Sequence, residues 1–463
     1  MTATWLSTLV LASLFVPISC SEQQVLNSEG SATGVLRRFN IGSAVGSVLA
    51  VAQDYDLDIW HASSAFVDVY FPSNEPSLPE ELARLPHTMI TIPSTVSRPL
   101  QLQTDWNITS LDNTTFHETY HPLEEVQTFI QQLADAHPNI TRLINLGQSA
   151  EGRPMQGLTI STGPYNESEL ERYGRRKGAK KTKKKPTAHD GRKLGFVIVG
   201  AQHAREWIAT ATMTYLAHAL VSNSSETHTL SKLLDHFDFH IIPMPNPDGY
   251  DYTWKADRYW YKNRQVIGPY TKCVGLDMNR FGYKWKPEAL DQVKSPLRNA
   301  DAKPREPQNP CSHWYPGTRP FESPEVNNMA NWISTIPNVV GFVDLRSYGQ
   351  MLSSPYSYTC KRTPKDAEDQ IEAALGACHA LKSVHGTAFK VGTLCSTLYP
   401  AYGNIVDWMY AREAIKYSYV AHLRDTGTYG FSLPEKWIRP TGEETVGMIE
   451  YIAKFIAKQA KST

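Results

Sequence analysis

The sequence lacks an excess of charge of either sign: its 463 residues include 46 Lys and Arg residues and 46 Asp and Glu residues. This balance gives no reason to expect a nucleic-acid partner, because such a partner calls for a basic surface. Beyond the N-terminus the sequence also lacks an apolar run long enough to span a bilayer. We therefore expect no membrane span and a monomer, with room for one large α/β domain and a smaller one.

Cysteine is scarce, with six residues in the chain. Cys20 follows an apolar stretch, residues 6–18, which we interpret as a secretory signal cut near Cys20 or Ser21; a buried N-terminal helix is the alternative. Cleavage would leave an odd number of cysteines, and an odd number in a secreted chain leaves one thiol free. The sequence alone does not say which of the five it is: Cys273, Cys311, Cys360, Cys378 or Cys395.

Five sequons for N-glycosylation agree with a secreted or extracellular location. Any single sequon is weak evidence, because the motif is short and arises by chance. The acceptor residues are Asn107, Asn113, Asn139, Asn166 and Asn223.

The first part of the chain predicts a small separate unit. Residues 21–36 are polar and Ser-rich, so we expect no regular structure there. Residues 37–95 have the pattern of a compact mixed unit, with a half-buried strand at 65–71 and a short helix that has Pro79 in its first turn. A linker, residues 96–115, follows.

The rest of the chain alternates helical patterns with apolar strands. Strands are predicted at 194–199, 239–242 and 339–345, and helices at 123–136 and 209–221. This alternation indicates an α/β fold with a mixed, largely buried sheet.

A basic insertion, residues 165–192, interrupts this second part. It has nine Lys and Arg residues between positions 172 and 185. Such a run is most often a solvated loop. Binding of a polyanion, such as acidic wall polysaccharide, and cleavage at the dibasic pairs are the alternatives.

The first candidate functional residues follow the end of the strand at 194–199. His203 and Glu206 follow it with the His-x-x-Glu spacing of two zinc ligands, just before a helix. The spacing alone is weak, because His121 and Glu124 repeat it. Since His121 stands before Pro122 at a helix start, we interpret that second pair as structural.

Several further motifs follow in a fixed order, and with them the chain resembles the zinc metallocarboxypeptidases of the carboxypeptidase A and B type. The resemblance covers residues 115–455, and residues 37–95 resemble the activation segment that covers the cleft in that family. Within the family the chain looks most like the secreted, inactive extracellular-matrix-type carboxypeptidases of fungi, which are associated with cell-wall organisation. The motifs are His203-Ala-Arg205-Glu206-Trp207, Asn246-Pro-Asp-Gly-Tyr250, Arg258-Tyr-Trp260-Tyr261-Lys262-Asn-Arg264, Cys273-Val-Gly-Leu-Asp277-Met-Asn279-Arg280, Ser347-Tyr348, Tyr399 with Asp407-Trp408, and Leu423-Arg424-Asp425-Thr426-Gly427-Thr-Tyr429-Gly430-Phe431.

The resemblance implies a division of the chain. Residues 1–20 would be the signal, 21–112 a propeptide-like α+β domain with its linker, and 113–463 the metallocarboxypeptidase-like α/β domain that carries the basic insert. It also implies two disulfides, Cys273–Cys311 and Cys360–Cys395, each stabilising the fold by roughly 3–4 kcal/mol and leaving Cys378 free.

The resemblance also assigns roles to single residues. His203 and Glu206 would bind zinc. Substrate binding falls to Arg205, Asn279, Arg280, Tyr348 and Tyr399, of which Arg280 offers a two-pronged donor for a C-terminal carboxylate. Val406 takes the specificity position, and an apolar floor there favours apolar or aromatic C-terminal residues over Lys or Arg.

Three positions depart from the family's pattern. Arg346 stands where active members have the third zinc ligand, His422 where they have the Glu general base, and Tyr261 where they have the oxyanion-stabilising Arg. A guanidinium has no lone pair to give a metal, and its charge repels one. Loss of the base costs about 10²–10⁴-fold and loss of oxyanion stabilisation on the order of 10²–10³-fold.

These departures leave two accounts of the pocket. In one, zinc is absent and Arg346 pairs with Glu206. In the other, His422 replaces the missing zinc ligand beside His203 and Glu206.

The sequence thus predicts an inactive, secreted carboxypeptidase-fold protein of the cell wall or vacuole that binds peptide or protein C-termini. The alternatives are an active zinc carboxypeptidase with a rewired metal site, which releases apolar C-terminal residues, and a structural wall protein that binds polyanions through the basic insert.

Overall fold

A computed structural model describes residues 32–40, 45–63, 65–72, 78–93, 104–163, 193–280 and 309–462. The proposed signal, the basic insert and Asn166 lie outside the described residues. Among the residues described, no helix is both long and apolar enough to cross a membrane.

The N-terminal unit is an antiparallel sheet of four strands in the order β2-β3-β1-β4 with two helices. The expectation of no regular structure up to residue 36 was wrong, because strand β1 begins at Ala32. Leu36 lies in the middle of that strand, pairs with Tyr70 on one side and Ile90 on the other, and is fully buried. Pairing on both sides orders a segment whose composition alone suggests a loop. The elements are β1 Ala32–Phe39, α1 Val45–Asp54, β2 Asp58–Ala62, β3 Val67–Pro72, α2 Glu80–Ala83 and β4 His87–Pro93.

The larger unit is built on a mixed sheet of eight strands in the order β11-β10-β12-β9-β7-β8-β6-β5. The four central strands β12, β9, β7 and β8 run parallel, and antiparallel neighbours flank them. The strands are β5 Thr141–Gln148, β6 Pro154–Ile160, β7 Leu194–Val199, β8 Phe237–Ile242, β9 Val339–Arg346, β10 Met351–Ser354, β11 Lys390–Thr393 and β12 Tyr417–His422. This sheet confirms the predicted α/β class.

Helices cover both faces of the large sheet. One face packs on α3, α4, α7 and α10, with Phe196 and Ile198 in the shared core. The other face packs on α6 and α9, with Val197 and Val199 in the core. The alternation along β7 sends successive apolar residues to opposite faces, which explains its continuous apolar run. The helices are α3 Leu123–Ala136, α4 Trp207–Val221, α5 Pro247–Lys255, α6 Pro324–Ile333, α7 Ala367–His385, α8 Leu394–Thr397, α9 Ile405–Ala411 and α10 Ile438–Ser462.

The cysteines pair as the resemblance implied. Cys273 bonds Cys311 and Cys360 bonds Cys395. Cys378 is a free thiol, buried on α7, and burial raises its pKa to about 12.

His121 is structural, as predicted. It is buried, its ring stacks on Phe116 at 3.9 Å, and its partner is Glu125 rather than Glu124.

Candidate functional site

The central strands bring the three departing positions to one end of the sheet. Arg346 is the last residue of β9 and His422 the last of β12, and the two are register partners. His203 and Glu206 lie between the end of β7 and the start of α4. Because parallel strands end at the same edge, these side chains meet where α/β sheets place their ligand crevice.

The guanidinium of Arg346 is within hydrogen-bonding distance of the two predicted metal ligands. Its Nε donates to Glu206 Oε2 at 2.9 Å and its Nη2 to Glu206 Oε1 at 3.1 Å, while Nη2 also contacts His203 Nδ1. Its Nη1 donates to Asp344 Oδ2 at 3.3 Å. Arg346 is only 3% exposed. The guanidinium therefore lies against the atoms through which His203 and Glu206 would bind a metal.

The charges in this cluster stabilise one another. Burial acts to raise the pKa of Glu206, but Arg346 and His203 outweigh it and lower that pKa to about 2. Burial opposes the charge of Arg346 as well, yet Glu206 and Asp344 raise its pKa above the ordinary value. Glu206 and Arg346 thus form a buried, fully ionised pair.

His203 has both ring nitrogens in contact with carboxylates. Nδ1 lies 2.9 Å from Glu206 Oε1 and Nε2 lies 2.9 Å from Asp277 Oδ1. The ring of Tyr261 packs on it at 3.6 Å between centroids. Asp277, which the sequence motif contains but to which sequence reasoning gave no role, fixes the imidazole from the side opposite Glu206.

These residues do not fit a catalytic zinc ion. Such a site needs three protein ligands and an open position, whereas the third ligand here is a guanidinium without a lone pair. Within the described ranges, no group of three or more His, Cys, Asp or Glu side chains could hold a metal ion.

His422 and Tyr261 supply neither of the lost chemical functions. Burial, followed by the charge of Arg346, lowers the pKa of His422 to about 3, so the imidazole is neutral and a weak base. Burial raises the pKa of the Tyr261 phenol well above its ordinary value, so it stays protonated and uncharged. Neither group can replace a carboxylate base or a cationic oxyanion donor.

The residues predicted to bind a C-terminal carboxylate lie together beside this cluster. Arg280 lies 3.3 Å from Asp277 Oδ2 and donates to Asn279 O at 2.9 Å, and its charge acts on the Tyr399 phenol in the same cavity. Asn279 Oδ1 accepts the backbone N–H of Ile405 at 3.3 Å. Arg280, Asn279 and Tyr399 line the same cavity as Arg346.

One wall of the cavity is apolar. Leu394, Leu398 and Val420 line it, and Val406 packs behind them in one cluster with no exposed surface. The next residue, Asp407, accepts the backbone N–H groups of Ser357 and Tyr358.

Two predicted substrate residues contact the N-terminal unit in this structure. Arg205 Nη1 donates to both carboxylate oxygens of Asp58 at 2.8 Å, and the Tyr348 hydroxyl donates to Asp68 Oδ2 at 2.7 Å. Arg38 forms a two-pronged pair with the same Asp68. Sequence reasoning missed Asp58 and Asp68, since no local pattern connects them to residues more than 100 positions away.

The N-terminal unit also closes the cavity. Four residues of β2 also line it: Ile59, Trp60, His61 and Ala62. The space that remains is about 100 Å³. Pockets for small ligands usually measure about 300–1,000 Å³. The closed form is therefore too small for a peptide end.

The zinc carboxypeptidase family model matches residues 126–448. The chain belongs to the zinc carboxypeptidase family. An inactive metallocarboxypeptidase, ecm14 of Sclerotinia sclerotiorum, is 32% identical over 472 residues, which cover 91% of this chain and 72% of the relative.

Solved structures agree with this assignment. The crystal structure of thrombin activatable fibrinolysis inhibitor matches with a TM-score of 0.71 and 28% identity, covering 92% of this chain and 99% of that one. The bovine form of that protein, in complex with tick carboxypeptidase inhibitor, matches with a TM-score of 0.60 and 31% identity over 74% of this chain and all of that one. The resemblance noted from the sequence is thus confirmed.

Proposed function

We propose that this protein is a catalytically inactive carboxypeptidase-fold protein that binds the C-terminal carboxylate of a peptide or protein. One observation carries the proposal: Arg346 is bonded to both Glu206 and His203, and thereby takes the position of a metal. The relative from Sclerotinia, which carries the word inactive in its name, supports it.

The lost groups serve chemistry, whereas the retained ones serve binding. Without a metal, a carboxylate base and a cationic oxyanion donor, water activation and charge stabilisation both fail. Arg280, Asn279 and Tyr399 remain together and can hold a carboxylate through charge-assisted hydrogen bonds. The apolar wall beside them favours ligands that end in apolar or aromatic residues.

Binding requires that the N-terminal unit moves away, because β2 lines the cavity. We assign residues 21–112 to a propeptide-like region and 113–463 to the binding domain. Loss of the Asp58–Arg205 contact on opening would free Arg205 as a further carboxylate donor. We place the protein outside the cell or in the wall, where the two disulfides would persist. A part in wall organisation accords with that location.

A binding experiment tests the proposal. The full chain carrying Asp58→Asn, which weakens the closed form, is titrated with a fluorescent peptide that ends in Phe as the free acid; the same peptide with a C-terminal amide is the control. We expect at least tenfold tighter binding of the acid, and loss of that preference on Arg280→Ala. Equal binding of acid and amide would refute the carboxylate pocket.

The same samples test inactivity. Release of the terminal Phe above the level of a Glu206→Ala variant, together with about one zinc per chain, would refute the inactive assignment.

A further inference from the structure

Two of the five sequons have the same local geometry. Thr109 donates to Asn107 Oδ1 through its hydroxyl at 2.9 Å and through its backbone N–H at 3.1 Å. Ser225 donates to Asn223 Oδ1 in the same way, at 3.1 Å from each group. All four side chains are exposed. In both sequons the amide oxygen accepts two hydrogen bonds and the Asn residue is exposed.

The other described sequons differ. The hydroxyl of Thr141, which belongs to the Asn139 sequon, is buried and donates to the carbonyls of His137 at 2.6 Å and Ala134 at 3.0 Å. Asn113 Nδ2, the atom that would accept a sugar, instead donates to Ser110 Oγ at 3.0 Å. In each of these two sequons, a group that glycan transfer requires is already hydrogen-bonded to another part of the chain.

We propose that, of the four sequons within the described residues, Asn107 and Asn223 are the ones that carry N-linked glycans, and that they place both sugars at the end of the molecule opposite the cavity. This inference rests on the secretory location in the proposed function.

The position follows from helix α4, which runs from the site to the sequon. Glu206 precedes its first turn and Asn223 follows its last, so its 15 residues separate them by about 22 Å. The segment after Asn107 is bound to the same end of the helix: His218 Nε2 lies 3.1 Å from Ile108 O, and Leu111 N–H donates to Glu226 at 2.8 Å. Sugars at this end leave the cavity free.

The local bonds suit the transfer reaction. The donor is an oligosaccharide on a lipid diphosphate. A bond forms between Asn Nδ2 and the sugar C1, the bond from C1 to the diphosphate oxygen breaks, the diphosphate leaves with the electron pair, and a base of the transferase takes one amide proton. A hydroxyl that donates to Oδ1 stabilises the negative charge that this deprotonation shifts onto the amide. Because the bonds join residues two apart, they can form before the rest of the chain folds.

Secretion of the full chain from insect cells tests the assignment. Protein from the medium is treated with peptide N-glycosidase in ¹⁸O water, which converts a glycosylated Asn to ¹⁸O-labelled Asp, and peptide masses give the occupancy at each site. We expect occupancy at Asn107 and at Asn223 to be at least twofold that at Asn139. Thr109→Ala should abolish the label at Asn107, and Thr109→Ser should restore it.

Gel mobility supplies a second measurement. Asn107→Gln and Asn223→Gln should each shift most of the secreted chain by one glycan step, while Asn139→Gln, the matched control, should shift half of it at most. Secreted chain without label at Asn107 and Asn223, or with more label at Asn139, would overturn this inference alone. Chain that stays unglycosylated inside the cells would overturn the secretory location and this inference with it.

Discussion

Arg346 meets Glu206 side-on, so that two nitrogens of the guanidinium donate to the two oxygens of the carboxylate, at 2.9 and 3.1 Å. Two-pronged pairs of this kind are short, directional and strong. In this fold the pair connects the end of β9 to the start of α4, and it does so where a metal would otherwise join them. The guanidinium is thus both a structural link and an obstacle to the metal.

Replacing the guanidinium should open the position to a metal. For Arg346→His we expect zinc content to rise towards one per chain, because a second imidazole joins His203 and Glu206 as the third ligand. Metal analysis of dialysed protein measures it. Peptidase activity should stay absent, since His422 and Tyr261 are unchanged. One zinc per chain in the unaltered protein, lost on His422→Ala, would contradict this account and support the rewired site.

Breaking the buried pair should be costly. Glu206→Ala removes the bidentate partner of the buried Arg346 and leaves its charge only the longer contact with Asp344, so we expect unfolding by urea to show a loss of about 3–5 kcal/mol. The double variant Glu206→Ala with Arg346→Met should lose less than the single one, because it removes the buried guanidinium charge, while Asp344 keeps its hydrogen bond from Gln202. Glu80→Ala, which removes an exposed pair with Arg84, is the control and should change little. Equal losses in single and double variants would argue against a fully ionised pair.

The contact between Asp58 and Arg205 should hold the N-terminal unit closed. Asp58→Asn removes the charge opposite an Arg that has no exposed side-chain surface, so opening becomes easier. Hydrogen exchange of the β2 amides should speed up by on the order of tenfold. Asp54→Asn, at an exposed site on α1, provides the comparison and should leave exchange in β2 unchanged. A similar rate in both variants would show that other contacts hold the unit.

Acid should destabilise the large domain through buried neutral imidazoles. Burial lowers the pKa of His240 from its ordinary value of 6.5 to about 4. The folded state therefore binds fewer protons than the unfolded chain between these values. The unfolding free energy falls as pH drops from about 6.5 to 4, by about 1.4 kcal/mol per unit.

His240→Gln should remove this share of the pH dependence. Urea unfolding at pH 7 and pH 4.5 gives the difference, which should shrink by about 2–3 kcal/mol in the variant. His236→Gln, at an exposed position just before β8, serves as the control. An unchanged difference in His240→Gln would show that His240 takes up no additional proton on unfolding.

Much of the large domain follows from local pattern. The apolar run at 194–199 matches β7, and the predicted helix at 123–136 matches α3, because burial selects residues at a fixed period. The start of β1 was not predictable, since its order comes from strands that lie 30 to 60 positions further along the chain. The periodicity of apolar residues shows which face of an element is buried, but it does not show which other element packs or pairs with it.

The residues of the site were likewise predicted from the sequence only in part. The motifs located His203, Glu206 and Arg346 in sequence, and one of the two accounts of the pocket contains the Arg346–Glu206 pair that the structure shows. The carboxylates of Asp277, Asp58 and Asp68 were missed as partners. Each meets its Arg, His or Tyr through the tertiary fold, and no spacing rule links such distant positions.

Cys378 is an intrinsic probe of unfolding. Its thiol is buried in the packing of α7, with a pKa of about 12, and is the only free thiol among the described residues. A thiol reagent can therefore consume it only when the packing around α7 opens. The rate at which Cys378 reacts therefore reports how often the packing around α7 opens.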